Sequence, residues 1–161
     1  IESSCIPLII EASAIIVKLN KKTNLYILGL YRPPADDKES FDLSLEKLSS
    51  IIDSWVTLNN IILIMGDFNV DGLVVSSKRN QLKELLTTFN IHRIDLPPTR
   101  ITKESSSSID ICCVTTDFMN EIDVQVIDNG ISDHAGQSCR LNLEISQKMP
   151  CTYSRRSLKP E

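Results

Sequence analysis

Hydrophobic positions along the chain change period several times, and each change marks an element. In residues 11–34, EASAIIVKLNKKTNLYILGLYRPP, the stretches Ala14–Leu19 and Leu25–Tyr31 are rich in Ile, Val, Leu and Tyr. NKKTN between them has turn chemistry, which predicts a hairpin, and Pro33 and Pro34 stop its second strand. Residues 41–58 then place Phe41, Leu45, Leu48, Ile52, Trp55 and Val56 near helical spacing, with Ser40 as the expected cap. IILIM at 61–65 is a short continuous apolar run, the pattern of a strand covered on both faces. A second helix is predicted over residues 77–90, with Leu82, Leu85, Leu86 and Phe89 on one face and an end near Asn90. LPPTR at 96–100 reads as a loop. Further strands are expected over Ile109–Val114, within EIDVQVID, and over residues 136–145, where Leu141, Leu143 and Ile145 recur at period two. From Gln147 the chain turns polar and reads as a linker or tail.

Strands mixed with two helices, and no internal repeat, predict an α/β layered fold with a mixed or mostly antiparallel sheet. The 161 residues suit one domain, assigned to residues 1–146. A hydrophobic content of 42% allows a core, and no apolar run reaches the roughly 18 residues of a membrane span. A net charge of −4 argues against a dedicated basic nucleic-acid-binding module but not against an enzyme that holds metal among carboxylates. Five cysteines, none in C-x-x-C spacing, read as reduced structural residues of an intracellular protein. Dinucleotide-binding, P-loop and G-x-S-x-G signatures are absent, so those activities have no support.

Four clusters carry candidate chemistry. Asp67 and Asn69 follow the apolar run in IILIMGDFN, two apart and so on one side of an extended backbone; they suit either a site at a strand end or a turn. Asp133 and His134, in GISDHAG, pair a carboxylate with an imidazole, as metal ligands or a general base do; a solvated turn is the alternative. Asp110 enters an apolar strand after SSSSI and needs a partner such as His, unless it sits at an exposed edge. Tyr31 ends the second hairpin strand, where a phenol can donate to phosphate or serve as packing.

The order YRPP, GDFN, SSIDI and ISDHAGQSCRLNLEI resembles the endonuclease/exonuclease/phosphatase superfamily. Within it, the chain looks most like the endonuclease domain of non-LTR retrotransposon polyproteins, from about Glu11 to Ile145. The resemblance implies a four-layer α/β sandwich, two mixed sheets flanked by helices, that hydrolyses phosphodiesters with Mg²⁺ or Mn²⁺. It implies that Asp67 orients or deprotonates water, and that Asn69 positions Asp67 and holds a phosphate oxygen. Asp133 would bind metal, His134 would act on the scissile phosphate with Asp110 orienting it, and Tyr31 would donate to phosphate. Thr99, Arg100 and Arg32 are candidate contacts to the nucleic-acid backbone. DNA is the implied partner, beside a reverse transcriptase domain beyond the 147–161 tail, with no membrane partner and a nuclear working site.

The family pattern also begins with an Asn-bearing strand and a Q-E segment whose Glu binds metal. IESSCIPLII matches neither, and Glu2 and Glu11 are not assigned that role. The chain therefore reads as the C-terminal two-thirds of the fold, with impaired activity expected. A catalytically dead remnant or binding module, or another phosphodiesterase of the superfamily, are the competing readings.

Overall fold

A computed structural model describes residues 9–35, 37–56 and 59–143. The expected tail from Gln147, the residue Ile145 and the segment holding Glu2 lie outside the described residues.

The hairpin forms as expected, β1 over Glu11–Lys18 and β2 over Asn24–Tyr31, paired antiparallel. Its turn is closed by the Asn20 side chain, whose Oδ1 accepts from the Lys22 and Thr23 N–H groups at 2.9 Å each. Helix α1, Lys38–Asp53, starts earlier than its apolar period suggests. Asp37, not Ser40, is the cap: its carboxylate accepts the Ser40 N–H at 2.6 Å. Phe41, Ser44, Leu48 and Ile52 form the buried stripe of α1. Trp55, beyond the helix, stacks on Tyr26 with ring centroids 5.1 Å apart.

Strand β3, Ile61–Asp67, runs parallel to β2, and helix α2 over Ser77–Thr88 follows it, capped by the Ser76 hydroxyl. Leu82 and Leu86 are buried on α2, and Asn90 just beyond it takes a left-handed backbone with φ of 55°. Strand β4 is only Ile91–Arg93, and β5 and β6 are two-residue strands at Arg100–Ile101 and Ser106–Ser107. None of the three is expected from the sequence, because such short stretches carry no periodicity. Strand β7, Asp110–Thr115, returns antiparallel to β3, and β8 and β9, Ile122–Ile127 and Gly136–Leu141, form an antiparallel pair.

The main sheet has the order β1-β2-β3-β7-β4 and is mixed, as expected. Alternation divides its side chains between two cores. Leu28, Leu30, Ile62, Ile64, Ile111 and Cys113 face the helices, meeting Phe41, Leu48, Ile52, Leu82 and Leu86. Leu25, Ile61, Leu63, Cys112 and Val114 face the other way, against Ile122, Val124, Val126 and Leu141 of the β8–β9 pair. Each fully buried aliphatic side chain contributes about 1.5–3 kcal/mol. The described residues thus stack helices, a mixed five-stranded sheet and a second, antiparallel two-stranded sheet. Cys112, Cys113 and Cys139 are free thiols, the first two buried as expected of structural cysteines. Among the described residues no helix is long and apolar enough to cross a membrane.

Candidate active site

Sheet register creates the site. At the carboxyl end of β3, Asp67 lies level with Tyr31 of β2 and with Asp110 of β7, so three candidate residues sit side by side on neighbouring strands. Gly66, just before Asp67, has φ of 137°, and a Cβ there would stand 1.9 Å from the Leu30 carbonyl oxygen. Only glycine lets β3 pass β2 this closely while delivering Asp67 to its end.

Asn69 holds Asp67. Its N–H donates to Asp67 Oδ1 at 2.8 Å, and its side-chain amide donates to Asp67 Oδ2 at 3.2 Å and to the Arg32 carbonyl at 2.8 Å. The geometry requires a left-handed backbone at Asn69, φ 53°, which Asn tolerates better than most residues. Burial raises the Asp67 carboxyl above the ordinary carboxylate range; the neighbouring Asp110 adds to this, while the Asn69 N–H, His134 and Arg100 oppose it.

His134 arrives from the loop before β9. Its Nδ1 faces the Asp110 carboxylate, 3.1 Å from Oδ2 and 3.3 Å from Oδ1, and its N–H donates to the Ser132 hydroxyl at 3.1 Å. The loop is sewn to residues 99–101 by two backbone bonds: Ile101 N–H to the Asp133 carbonyl at 2.8 Å, and Ala135 N–H to the Thr99 carbonyl at 2.7 Å. This stitching, invisible in the sequence, is the role of the short β5–β6 pair.

Asp67, Asp110 and His134 offer ligand atoms that all lie within 4.8 Å of one another. Two carboxylates at the open end of a sheet are hard oxygen donors and fit a divalent cation. Asp133, the expected metal ligand, stands outside that group. Its carboxylate accepts from Arg100 Nε at 2.8 Å, and this bond holds its acid below the ordinary range.

Two expected nucleic-acid contacts are placed elsewhere. Arg32 is only 2% exposed. Its guanidinium donates to Ser44 Oγ, the Phe68 carbonyl and the Ala35 carbonyl, and lies against the Phe41 and Phe68 rings. Thr99 is fully buried, and its hydroxyl accepts the Asp110 N–H at 3.1 Å. Both side chains support the site from beneath and do not reach a ligand. Arg100 and Tyr31 are exposed beside the cluster. Residue type alone could not reveal this split, since a buried Arg and an exposed Arg look alike in sequence.

Residues 25–137, well over half the chain, match the family described as endonuclease-reverse transcriptase. The chain belongs to that family. Solved structures share the fold. The endonuclease domain of TRAS1, a telomere-specific non-LTR retrotransposon, superposes with a TM-score of 0.67 at 19% identity, over 82% of this chain and 62% of that one. An endonuclease/exonuclease/phosphatase family protein from Leptotrichia buccalis C-1013-b gives 0.59 at 14% identity, over 82% and 54%. The 3'-5' exonuclease NExo from Neisseria meningitidis gives 0.57 at 14% identity, over 74% and 62%. The chain thus spans less than two-thirds of each of these structures. No curated protein matches it in sequence. The α/β architecture inferred from the sequence is therefore that of the family.

Proposed function

We propose that this chain carries a metal-dependent phosphodiesterase site that nicks DNA, within the polyprotein of a non-LTR retrotransposon. The observation that supports it most directly is the convergence of Asp67, Asp110 and His134 with Asn69 bonded to Asp67. Asp67, with its raised proton affinity, is suited to orient water and take its proton. Asp110 orients the His134 ring through Nδ1, leaving Nε2 to face a phosphate oxygen. Tyr31 and Arg100 are placed to donate to phosphate oxygens. A Mg²⁺ or Mn²⁺ ion held by Asp67 and Asp110 would supply charge stabilisation of the phosphoryl oxygens. Arg100 engages Asp133 through Oδ2 alone and both side chains are 44% exposed, so the carboxylate is free to rearrange toward a metal. The working site is then the nucleus, beside a reverse transcriptase domain of the same polyprotein.

The group offers two carboxylates among the described residues, so metal affinity and turnover of this chain by itself are expected to be low. A supercoiled-plasmid assay tests the reading. Slow nicking is expected, dependent on Mg²⁺ or Mn²⁺, lost with chelator and reduced about 10²–10⁴-fold by His134→Ala. Nicking that survives His134→Ala would place the chemistry elsewhere. A second reading, a non-catalytic nucleic-acid-binding domain, draws on the Asp133–Arg100 pair, which withholds a carboxylate from the site. DNA binding without nicking in Mn²⁺ would select it.

A further inference from the structure

Strand β9 carries one polar side chain into the apolar space between the two sheets. Cys139 and Leu141 of β9 pack inward on the second core, whereas Ser138 and Arg140 are exposed. Alternation puts Gln137 on the inward side with Cys139. Its Nε2 is buried and, among the described residues, has no hydrogen-bond partner. An amide donor buried unpaired is unfavourable, so the native state gains when an acceptor is supplied.

Contacts on either side of Gln137 fix its level. The thiols of Cys139 and Cys112 are in hydrogen-bond contact, which sets β9 over β7. At the site end, His134 meets the Asp110 carboxylate at 3.1 Å. Between these two contacts β9 and β7 run the same way. Two residues back from the thiols, about 7 Å along each strand, stand Gln137 on β9 and Asp110 on β7. Both are on the sides of their strands that face each other.

Elimination names the acceptor. Val126, paired with Gln137 across the small sheet, and the inward Ile27 and Met65 of the main sheet offer no oxygen. Asp67 already accepts twice from Asn69. The Asp110 carboxylate is 15% exposed and, among the described residues, takes only the His134 ring. A carboxylate has about four acceptor positions, so Asp110 has capacity to spare where Gln137 has a donor to spend. No direct bond joins the two. One ordered water, accepting from Nε2 and donating to the carboxylate, satisfies both.

We propose that Gln137 is a positioning residue of the candidate site: through one ordered water it holds the Asp110 carboxylate from beneath, in the orientation that aligns the His134 ring. Its effect on catalysis rests on the nuclease reading. Nuclear magnetic resonance in EDTA reads the contact without any turnover. The Gln137 Nε2 protons should exchange slowly with solvent. They should move upfield in Asp110→Asn but not in Asp123→Asn, whose carboxylate is exposed on β8. Gln137→Met fills similar space without a donor. In plasmid nicking it should lower kcat about tenfold with KM nearly unchanged, as loss of a supporting hydrogen bond does. In the Asp110→Asn background the same change should cost little more, because the two residues act as one unit. An amide that is merely core predicts the opposite: a resonance indifferent to Asp110, a higher urea midpoint for Gln137→Met and full nicking by that variant. That pattern overturns the proposal. An amide shift that depends on Asp110, in a chain that never nicks DNA in Mg²⁺ or Mn²⁺, keeps the contact and removes the nuclease reading. Nicking with an amide indifferent to Asp110 does the reverse.

Discussion

Asn69 grips Asp67 twice, backbone N–H to Oδ1 at 2.8 Å and side-chain amide to Oδ2 at 3.2 Å, from a left-handed backbone. Side-chain loss and backbone strain can be separated here. Asn69→Ala removes the amide but keeps a Cβ in the left-handed region, whereas Asn69→Gly removes the Cβ as well and with it a strain of about 1–2 kcal/mol. The Gly variant should therefore unfold at higher urea than the Ala variant, and both should nick DNA poorly. Equal urea midpoints would show that the turn relaxes.

Thr99 should matter for stability and for the site, without touching substrate. Thr99→Val fills nearly the same space but leaves the Asp110 N–H without its acceptor. A buried unpaired donor costs about 1–3 kcal/mol. Denaturation should show that loss, and Thr99→Ser should recover most of it. Full stability in the Val variant would mean that Asp110 finds another partner.

Arg32 offers the complementary case. Arg32→Met should destabilise the fold by about 3 kcal/mol or more, since two buried acceptors and a partly buried one lose a charged donor. The slope of DNA affinity against salt, measured where the variant stays folded, should not move. A reduced slope would return Arg32 to the binding surface.

Asp67 sets a pH dependence. Its folded proton affinity is raised chiefly by burial, so between its unfolded and folded pKa the native state binds more protons than the unfolded one. Its contribution to stability is therefore greatest below the unfolded value and falls as pH rises through the folded value. Asp67→Asn, which removes that titration, should stabilise the chelated protein at pH 7 relative to its effect at pH 3, while abolishing nicking. Urea midpoints at the two pH values check it. Equal shifts at both would show that the carboxylate is not penalised.

Strand β3, α2, β7 and the order of the acidic residues are all legible in the sequence because each follows a hydrophobic period or a distinctive residue string. Asp67, Asp110 and His134 were nameable for the same reason. What escaped was set by tertiary contacts between polar groups. Nothing local in LPPTR says that Thr99 will be enclosed under Asp110 or that Arg100 will claim Asp133. Arg32 lies next to an exposed Tyr31, yet its own guanidinium turns inward to the carbonyls of Ala35, three residues on, and of Phe68 from the segment after β3. The three-residue β4 is too short to show a period, yet its Arg93 donates to the Ser108 carbonyl, close before Asp110.

Gly66 has a consequence at the level of the gene. Any change in the first or second base of a glycine codon specifies another residue or a stop, and any side chain at position 66 meets the Leu30 backbone. Such a lesion would misplace Asp67 without changing any residue of the candidate site. A gene carrying it would retain every residue of the site and lose the means to assemble them.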